Sequence, residues 1–338
     1  MAQAKRLVFP SKLTVEVETF EIPDDPTPTE VIVENLYGLI SPGTELAMFT
    51  ETHIGFPLPD FTYASFAFRP GYASVGRAVK VGADVNGLEE GDIVFTRSGH
   101  SSHTVAGGGR AIQKIPDGMK PEHAPFASLA QIALTAIRVS NPRLGFMAAV
   151  FGQGLIGNLA AQLLRAAGAR RVIGIDVMQP RLDISSRCGI EAQINPTGPR
   201  ELSDTLGELT DGSGCHIVVE ATGAPSVIPQ AIKAARERGK VVLLGSPRGR
   251  TEIDPYFDVH VPGVSIIGAH ARHMNTTVEY GDPDPTELML SFIADQKIAV
   301  APLITHTLPA TQAPEAYDGL LNHKETYLGV LLDLTKWD

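Results

Sequence analysis

The 338-residue chain has little that would point to a disulfide framework, a secreted protein or a nucleic-acid surface. Its two cysteines, Cys188 and Cys215, are far apart and have neither metal-site nor redox spacing, so we expect a reduced, cytoplasmic setting. The net charge is −10 and no basic run occurs, which argues against nucleic acid and anionic membranes as partners. The first ten residues, MAQAKRLVFP, lack the apolar core of a signal peptide.

A long uncharged run is present, from Leu144 to Leu164, and its length would suffice to span a bilayer. Glycines and the amide side chains of Gln153, Asn158 and Gln162 interrupt this run. We therefore predict a buried strand, a glycine turn and a helix here instead of a membrane span.

The same run contains a glycine motif that predicts a dinucleotide-binding βαβ unit. From residue 146 the sequence reads FMAAVF, GQGLIG, NLAAQLLRAAGA and RRVIGID, an apolar run, a GxGxxG motif, a helical pattern and a second apolar run that ends in an acid. The first glycine makes the tight turn, the second admits the pyrophosphate, and the third lets the helix pack on the strand. The pyrophosphate is bound at the helix N-terminus. The predicted contacts are Gly152, Gly154, Leu155, Ile156 and Gly157.

Asp176 predicts NAD as the cofactor. It lies about 20 residues beyond Gly157, where a carboxylate accepts hydrogen bonds from the ribose hydroxyls and repels a 2′-phosphate. Arg181 is a second predicted contact, since its guanidinium could bind an adenosine phosphate or stack on adenine. The preference for NAD over NADP is therefore not absolute.

Hydrophobic periodicity predicts two domains. Residues 7–40 and 74–95 form short alternating runs between Pro- and Gly-rich turns, typical of antiparallel strands in a β-rich domain. Residues 121–140 have the period of a helix. Beyond it, six apolar runs near residues 146, 172, 192, 216, 240 and 264 alternate with helical stretches such as RELSDTLGEL and SVIPQAIKAARER, which indicates a parallel sheet of six strands.

The C-terminal part of the chain is predicted to return to the first domain. A helix is expected over PTELMLSFIADQK, capped by Pro285 and Thr286, and another around Ala313 to Leu321. We assign residues 1–121 and 299–338 to the β-rich domain and residues 122–298 to the dinucleotide-binding domain.

Several further stretches are similar to one known family. They are GLISPGTEL (Gly38 to Leu46), RPGYASVGRAVKVGADVNGLEEGDIVF (Arg69 to Phe95), VVEATG (Val218 to Gly223), GKVVLLGS (Gly239 to Ser246) and PLITHTLP (Pro302 to Pro309). With the glycine motif, they make the chain resemble the medium-chain dehydrogenase/reductase superfamily over nearly its whole length.

The resemblance implies an α/β protein with a GroES-like catalytic domain formed by both chain ends and a Rossmann domain with a doubly wound, six-stranded parallel sheet. It also implies hydride transfer in a cleft between the domains, a small-molecule substrate and a homodimer. The further cofactor contacts that it implies are Thr222, Gly223, Gly245 and Ser246.

The resemblance also implies a missing metal. The cysteine ligand of zinc-dependent members falls on Pro42, their Gly-His-Glu motif on residues 71–73, and their later ligand near Ala127 or Ser128. These side chains cannot build a set of nitrogen, sulfur and carboxylate ligands. We therefore expect a zinc-independent member with no metal.

Without zinc, an amino-acid side chain must handle the proton. Tyr72 takes the place of a zinc ligand and is expected to face the substrate, either as an acid-base group or merely filling the space that the metal leaves. To act as a base, its pKa would have to fall from about 10. Thr44 matches the proton-relay hydroxyl of the family, and Glu45 matches an acid next to the zinc, for which we expect a buried structural role.

Histidines are the remaining candidates, because they titrate near neutrality. His100 and His103 lie in the polar loop SGHSSH, where a solvated role is favoured over a catalytic one. His270 follows the last predicted strand with Arg272 and His273. It is expected to contact nicotinamide or substrate, or else to lie at a subunit interface.

We therefore predict an NAD-dependent, zinc-independent dehydrogenase that interconverts a secondary alcohol and a ketone on a sugar- or polyol-like molecule. One alternative is an NADPH-dependent quinone or enone reductase, against which Asp176 argues. The other is a dinucleotide-binding protein without catalysis, because a fold alone does not establish activity.

Overall fold

The computed structural model describes residues 1–58, 60–108, 111–272 and 282–337. The strands are β1 (Ala2–Val8), β2 (Glu16–Ile22), β3 (Glu30–Leu39), β4 (Ser74–Val81), β5 (Ile93–Thr96), β6 (His103–Gly107), β7 (Ile112–Lys114), β8 (Met147–Phe151), β9 (Arg171–Ile175), β10 (Ala192–Ile194), β11 (Cys215–Glu220), β12 (Ala235–Leu243), β13 (Ser265–Gly268), β14 (Ile304–Pro309) and β15 (Gly329–Asp333). The helices are α1 (Pro42–Phe49), α2 (Phe126–Ser140), α3 (Leu155–Ala166), α4 (Gln179–Arg187), α5 (Leu202–Leu209), α6 (Ile228–Ala234), α7 (Pro285–Ala294) and α8 (Ala313–Asn322).

These elements form two compact units. The first unit contains Met1–Ser128 and Ile304–Asp338, and the second contains Leu129–Leu303. Both chain ends thus belong to the first unit, and helix α2 carries the chain from the first unit into the second. The predicted α/β fold class, a β-rich domain with a Rossmann domain, is confirmed.

The first unit is built on a mainly antiparallel sheet with the strand order β14-β15-β3-β4-β5-β7, in which β6 also pairs with β3. Strands β1 and β2 form a separate antiparallel ribbon. A hydrophobic core lies between the C-terminal strands, α1 and α8, and contains Phe9, Ile40, Met48, Tyr317 and Leu332. Burial of these side chains stabilises the unit, and it also fixes the start of α1, where the candidate site begins.

The second unit is a parallel sheet with the strand order β10-β9-β8-β11-β12-β13. The order reverses between β8 and β11, which are paired in the register Val150 to Val219. Ligands of such sheets bind at this reversal, at the carboxyl ends of the strands. The uncharged run from 144 to 164 contains β8, the glycine turn and most of α3, as predicted. None of the described helices is both long and apolar enough to cross a membrane.

Two predicted helices differ from the observed ones at their ends. The helical pattern SVIPQAIKAARER ends early, because α6 stops at Ala234 and β12 begins at Ala235. The cap predicted at Pro285 and Thr286 is wrong, since the Asp284 carboxylate accepts the Thr286 amide at 2.8 Å and caps α7. An aspartate preceding a proline is a common helix start.

Both cysteines are buried and reduced, and this gives the fold a predictable pH dependence. Burial raises the pKa of Cys188 from 9.0 to about 11 and that of Cys215 from 9.0 to about 12. Unfolding releases both thiols to titrate near 9, so their contribution to stability is complete below pH 9 and is lost as the pH rises toward 11–12. Between pH 9 and 10 we expect the free energy of unfolding to fall by about 1 kcal/mol for each thiol.

Urea unfolding at pH 8, 9 and 10 measures this loss. The Cys215→Ala variant starts from a lower stability because the side chain is smaller, so the informative quantity is the slope with pH. Between pH 9 and 10 we expect its free energy of unfolding to fall by about 1 kcal/mol less than that of the wild type. An unchanged slope would show that Cys215 does not titrate on unfolding in this range.

Candidate active site

The glycine turn between β8 and α3 requires glycine at two positions. Gly152 has a φ of +88°, and a Cβ there would lie 2.9 Å from the Thr222 methyl group. A Cβ on Gly157 would overlap the carbonyl of Gly152. Gly154 is the N-cap of α3 and leaves open space on its Cβ side, with Arg181 as the nearest group at 4.0 Å. The turn thus provides a cradle from which side chains are absent.

The amides of Leu155 and Ile156 lie in the first turn of α3, where helix geometry gives them no acceptor within the helix. A side chain inside the turn holds it in place. The side-chain NH₂ group of Gln153 donates to the Val150 carbonyl at 2.9 Å, and its side-chain oxygen accepts the Ser185 hydroxyl of α4 at 2.9 Å. The helix N-terminus is therefore a rigid site for an anion such as a pyrophosphate.

Asp176 follows β9 and is 7% exposed. One carboxylate oxygen accepts the backbone N–H of Gln153 at 2.7 Å and the other accepts the backbone N–H of Met178 at 2.9 Å. The Arg181 guanidinium lies 3.9 Å from the first of these oxygens. Because each carboxylate oxygen has two lone pairs, Asp176 can still accept hydrogen bonds from a ribose.

At the end of β11, the structure adds an acid that the sequence-based prediction did not include. Glu220 is buried and accepts the Thr222 amide at 2.7 Å, the Thr222 hydroxyl and the Gly223 amide at 3.2 Å. Its backbone carbonyl accepts the Gly245 amide at 2.8 Å. A Cβ on Gly223 would lie 3.0 Å from the Ser246 carbonyl. The four cofactor contacts predicted after β11 and β12 thus lie together next to Glu220. In the sequence, Glu220 could have been recognised as an acid at the end of an apolar strand.

In the first unit, three hydroxyl groups form a cluster at the start of α1. The Tyr72 hydroxyl lies 2.5 Å from the Ser41 hydroxyl, and the Thr44 side chain helps to lower the pKa of Tyr72. The Ser128 hydroxyl donates to the Tyr72 carbonyl at 3.1 Å. Ser41, Thr44 and Tyr72 are called the hydroxyl cluster below.

The titration of Tyr72 differs from what a catalytic base needs. Burial raises the pKa of Tyr72 to about 12; hydrogen bonds from Ser41 and Thr44 oppose this rise, and the charge of Glu45 adds to it. The condition for Tyr72 to act as a base, a pKa below 10, is therefore not met. Near neutral pH the side chain is a phenol, which donates a proton but does not accept one.

Behind the hydroxyl cluster lies a buried polar network. One Glu45 carboxylate oxygen accepts the Ser41 amide at 2.8 Å, and the other accepts the Tyr317 hydroxyl at 2.6 Å and lies 3.1 Å from His100 Nε2. The side chains of Glu45 and His100 are fully buried. The solvated role favoured for His100 is therefore wrong, because Glu45 offers its ring an acceptor inside the unit.

The other candidate histidines have different surroundings. His103 is half-buried on β6, with Nδ1 3.1 Å from the Ser102 hydroxyl. His270 follows β13, is exposed, and accepts the Arg272 amide at 3.1 Å. His273 lies outside the described residues. A contact of His270 with nicotinamide or substrate stays a prediction.

The side chains around Tyr72 do not fit a zinc ion. Pro42, Tyr72, Ala73 and Ser128 offer hydroxyl groups at most, whereas protein zinc sites use thiolate, imidazole and carboxylate. Within the described parts of the chain, no three His, Cys, Asp or Glu side chains converge to hold a metal ion.

Comparison with known proteins relates the chain to dehydrogenases. The model of the zinc-binding dehydrogenase family matches residues 156–287, a segment that does not include the positions around Tyr72. A provisionally named D-xylulose reductase of Agrobacterium fabrum is 28% identical over 76% of this chain and 78% of its own length. The D-guloside 3-dehydrogenase of Shigella flexneri is 32% identical over 52% of this chain and 50% of its own length.

Solved structures show the same fold. The 2R,3R-butanediol dehydrogenase of Bacillus subtilis has a TM-score of 0.82 and 22% identity, covering 98% of this chain and 99% of its own. An alcohol dehydrogenase of Escherichia coli CFT073, in complex with NADH, has a TM-score of 0.81 and 18% identity, with 98% and 100% covered. A provisionally named zinc-binding dehydrogenase of Sinorhizobium meliloti 1021, bound to NADP, has a TM-score of 0.78 and 19% identity, with 98% and 100% covered.

Proposed function

Because the chain belongs to the medium-chain dehydrogenase/reductase superfamily and is an oxidoreductase acting on CH–OH groups, we propose an NAD-dependent, zinc-independent dehydrogenase of sugar- or polyol-like molecules. It would interconvert a secondary alcohol and a ketone. The observation that carries this proposal is the hydroxyl cluster around Tyr72, which stands where the resemblance expects zinc ligands.

The second unit supports NAD as the cofactor. The pyrophosphate would bind at the glycine turn and the amides of Leu155 and Ile156, and the adenosine ribose at Asp176. When bound, a nicotinamide coenzyme supplies or accepts the hydride. The preference for NAD over NADP rests on the charge of Asp176, and Arg181 opposes it in part.

Tyr72 supports proton transfer without a metal. During reduction of a ketone, negative charge develops on the substrate oxygen, and the resulting alkoxide has a pKa of about 16, close to that of water. Tyr72 has a pKa of about 12, so transfer of its proton to that oxygen is favourable. The O–H bond of Tyr72 breaks as the O–H bond of the alcohol forms. Ser41 and Thr44 orient the phenol and stabilise the phenolate that remains.

The substrate class is supported by the relatives. One is named for D-xylulose and another for a D-guloside, both of which carry several hydroxyl groups. The hydroxyl cluster suits such substrates, because serine and threonine hydroxyls both donate and accept hydrogen bonds.

A spectrophotometric assay tests the proposal. Purified protein is mixed with NADH or NADPH and a panel of ketoses, simple ketones, quinones and enones, with and without EDTA. We expect ketose reduction with NADH and no loss of activity in EDTA. Loss of activity in EDTA with recovery on adding zinc would contradict the metal-free mechanism. Enone turnover with NADPH would favour the quinone or enone reductase, and NADH binding without turnover of any compound would favour a non-catalytic protein.

Asp176→Asn tests the choice of cofactor. The substitution keeps the size of the side chain but removes the charge that repels a 2′-phosphate. We expect the ratio of kcat/KM with NAD to that with NADP to fall by about tenfold or more, which corresponds to about 1.4 kcal/mol. The control is Asp183→Asn on the exposed side of α4, which should leave the ratio unchanged. If Asp176→Asn also leaves this ratio unchanged, Asp176 does not determine the choice between NAD and NADP.

A further inference from the structure

The segment after α1 carries a cluster of aromatic rings. His53 and Phe61 are stacked, with ring centroids 5.5 Å apart and an interplanar angle of 24°. Tyr63 contacts both, at 6.0 and 6.3 Å, and also contacts Phe68 at 5.7 Å, each with its ring steeply inclined to the neighbour. Phe61 is 42% exposed and Tyr63 is 51% exposed. We call His53, Phe61, Tyr63 and Phe68 the aromatic cluster.

The inner end of the aromatic cluster reaches the buried polar network. Phe68 packs on Phe9 with a centroid distance of 5.9 Å, and their backbones exchange hydrogen bonds at 2.7 and 3.0 Å. Phe9 in turn meets Tyr317 edge-on at 5.0 Å, and Tyr317 donates to Glu45. The exposed rings are therefore anchored to the same carboxylate that holds the start of α1.

Glu45 connects the aromatic cluster to the hydroxyl cluster. One of its carboxylate oxygens accepts the hydroxyl of Tyr317, whose ring packs on Phe9. The other oxygen accepts the backbone amide of Ser41, whose hydroxyl lies 2.5 Å from that of Tyr72. The first unit therefore carries an exposed aromatic surface and a set of hydroxyl groups that are joined through one buried carboxylate.

We propose that the aromatic cluster binds the apolar face of a pyranose ring, so that the substrate of the proposed reaction is a cyclic sugar or glycoside. This inference rests on the proposed function. A pyranose has a face of C–H groups and a rim of hydroxyl groups. The aromatic rings would pack against the face, and the hydroxyl cluster would form hydrogen bonds with the rim. An open-chain polyol presents no flat apolar face, and burying the exposed part of Tyr63 against it gains little.

Kinetics with matched substrates test this inference. Methyl hexopyranosides are compared with the open-chain alditols of the same configuration, with NAD as the cofactor. For Tyr63→Ala we expect KM for the pyranosides to rise at least tenfold, while kcat, the Kd for NADH and the KM for alditols stay unchanged. Tyr63→Phe keeps the ring and should behave as the wild type. Leu58→Ala is the matched control, because Leu58 is 52% exposed in the same segment and belongs to no ring contact.

Saturation-transfer NMR separates this inference from the proposed function, because it needs no turnover. Irradiation of the aromatic protons should saturate the C–H protons of methyl pyranosides in the wild type and not in Tyr63→Ala. That result without turnover of any alcohol would refute the proposed function and support pyranose binding. Pyranoside turnover unaffected by Tyr63→Ala, equal losses for pyranosides and alditols, or a changed sedimentation coefficient in Tyr63→Ala would overturn the inference.

Discussion

Replacement of Tyr72 by phenylalanine is expected to lower kcat for ketone reduction by about 100- to 10,000-fold, the usual contribution of a positioned acid. The ring is kept, so the packing of the site changes little, but the proton donor and the hydrogen bond to Ser41 are lost. The Kd for NADH should not change, because the predicted cofactor contacts all lie in the second unit. Steady-state kinetics and a fluorescence titration with NADH measure the two quantities.

The pH profile makes the test of Tyr72 more specific. With a pKa of about 12, Tyr72 is protonated throughout the neutral range, so its protonation does not limit ketone reduction between pH 6 and about 10. Alcohol oxidation needs the phenolate, and its rate should rise about tenfold for each pH unit up to the pKa. In Tyr72→Phe this rise should be absent.

Tyr37→Phe is the matched control for Tyr72→Phe. Tyr37 is half-buried on β3 and its pKa is also raised by burial, but it neighbours Asp333 instead of the hydroxyl cluster. Its replacement should leave both rates unchanged. Full ketone reduction by Tyr72→Phe would assign the proton to another group, and His100, whose ring lies 3.1 Å from Glu45, would be the next candidate.

The fold of the second unit could be predicted because its determinants are local. The glycine turn and the alternation of apolar strands with helices lie within short stretches, and all six predicted strands are present. The end of α6 could not be predicted in this way. ARER continues a helical pattern, but Ala235 pairs with Cys215 in the sheet, and this contact between distant segments decides the conformation.

The candidate site could be predicted only in part, for a similar reason. Tyr72 and Thr44 were found from their place in motifs, whereas the burial of His100 depends on Glu45, 55 positions earlier. Tyr317 donates to the same carboxylate from 272 positions away, and nothing in its local sequence indicates this role. From the sequence alone, a polar loop such as SGHSSH is predicted to be solvated, because the buried acceptor that can bind its histidine is not known.

The same long-range network leads to the second large effect, on stability. Glu45 accepts three hydrogen bonds inside the first unit, from Ser41, Tyr317 and the His100 ring. Glutamine in its place has one acceptor oxygen instead of two, so at least one of these donors loses the carboxylate oxygen that accepts its hydrogen bond. We expect Glu45→Gln to lower the free energy of unfolding of the first unit by about 3 kcal/mol or more, the usual cost of breaking a buried charge network. Tyr317→Phe removes one donor only and should cost about 2 kcal/mol.

Urea unfolding followed by tryptophan fluorescence measures these losses in the correct unit, because the single tryptophan, Trp337, lies in the C-terminal segment of the first unit. Because the Tyr317 hydroxyl donates to a carboxylate oxygen of Glu45, the two substitutions remove the same hydrogen bond. The double variant of Glu45→Gln and Tyr317→Phe should therefore lose less than the sum of the single losses, by about 1 kcal/mol. Glu325→Gln changes an exposed glutamate of the same unit and should stay within about 0.5 kcal/mol of the wild type. Strictly additive losses would mean that the Tyr317 hydroxyl stabilises the unit independently of its hydrogen bond to Glu45.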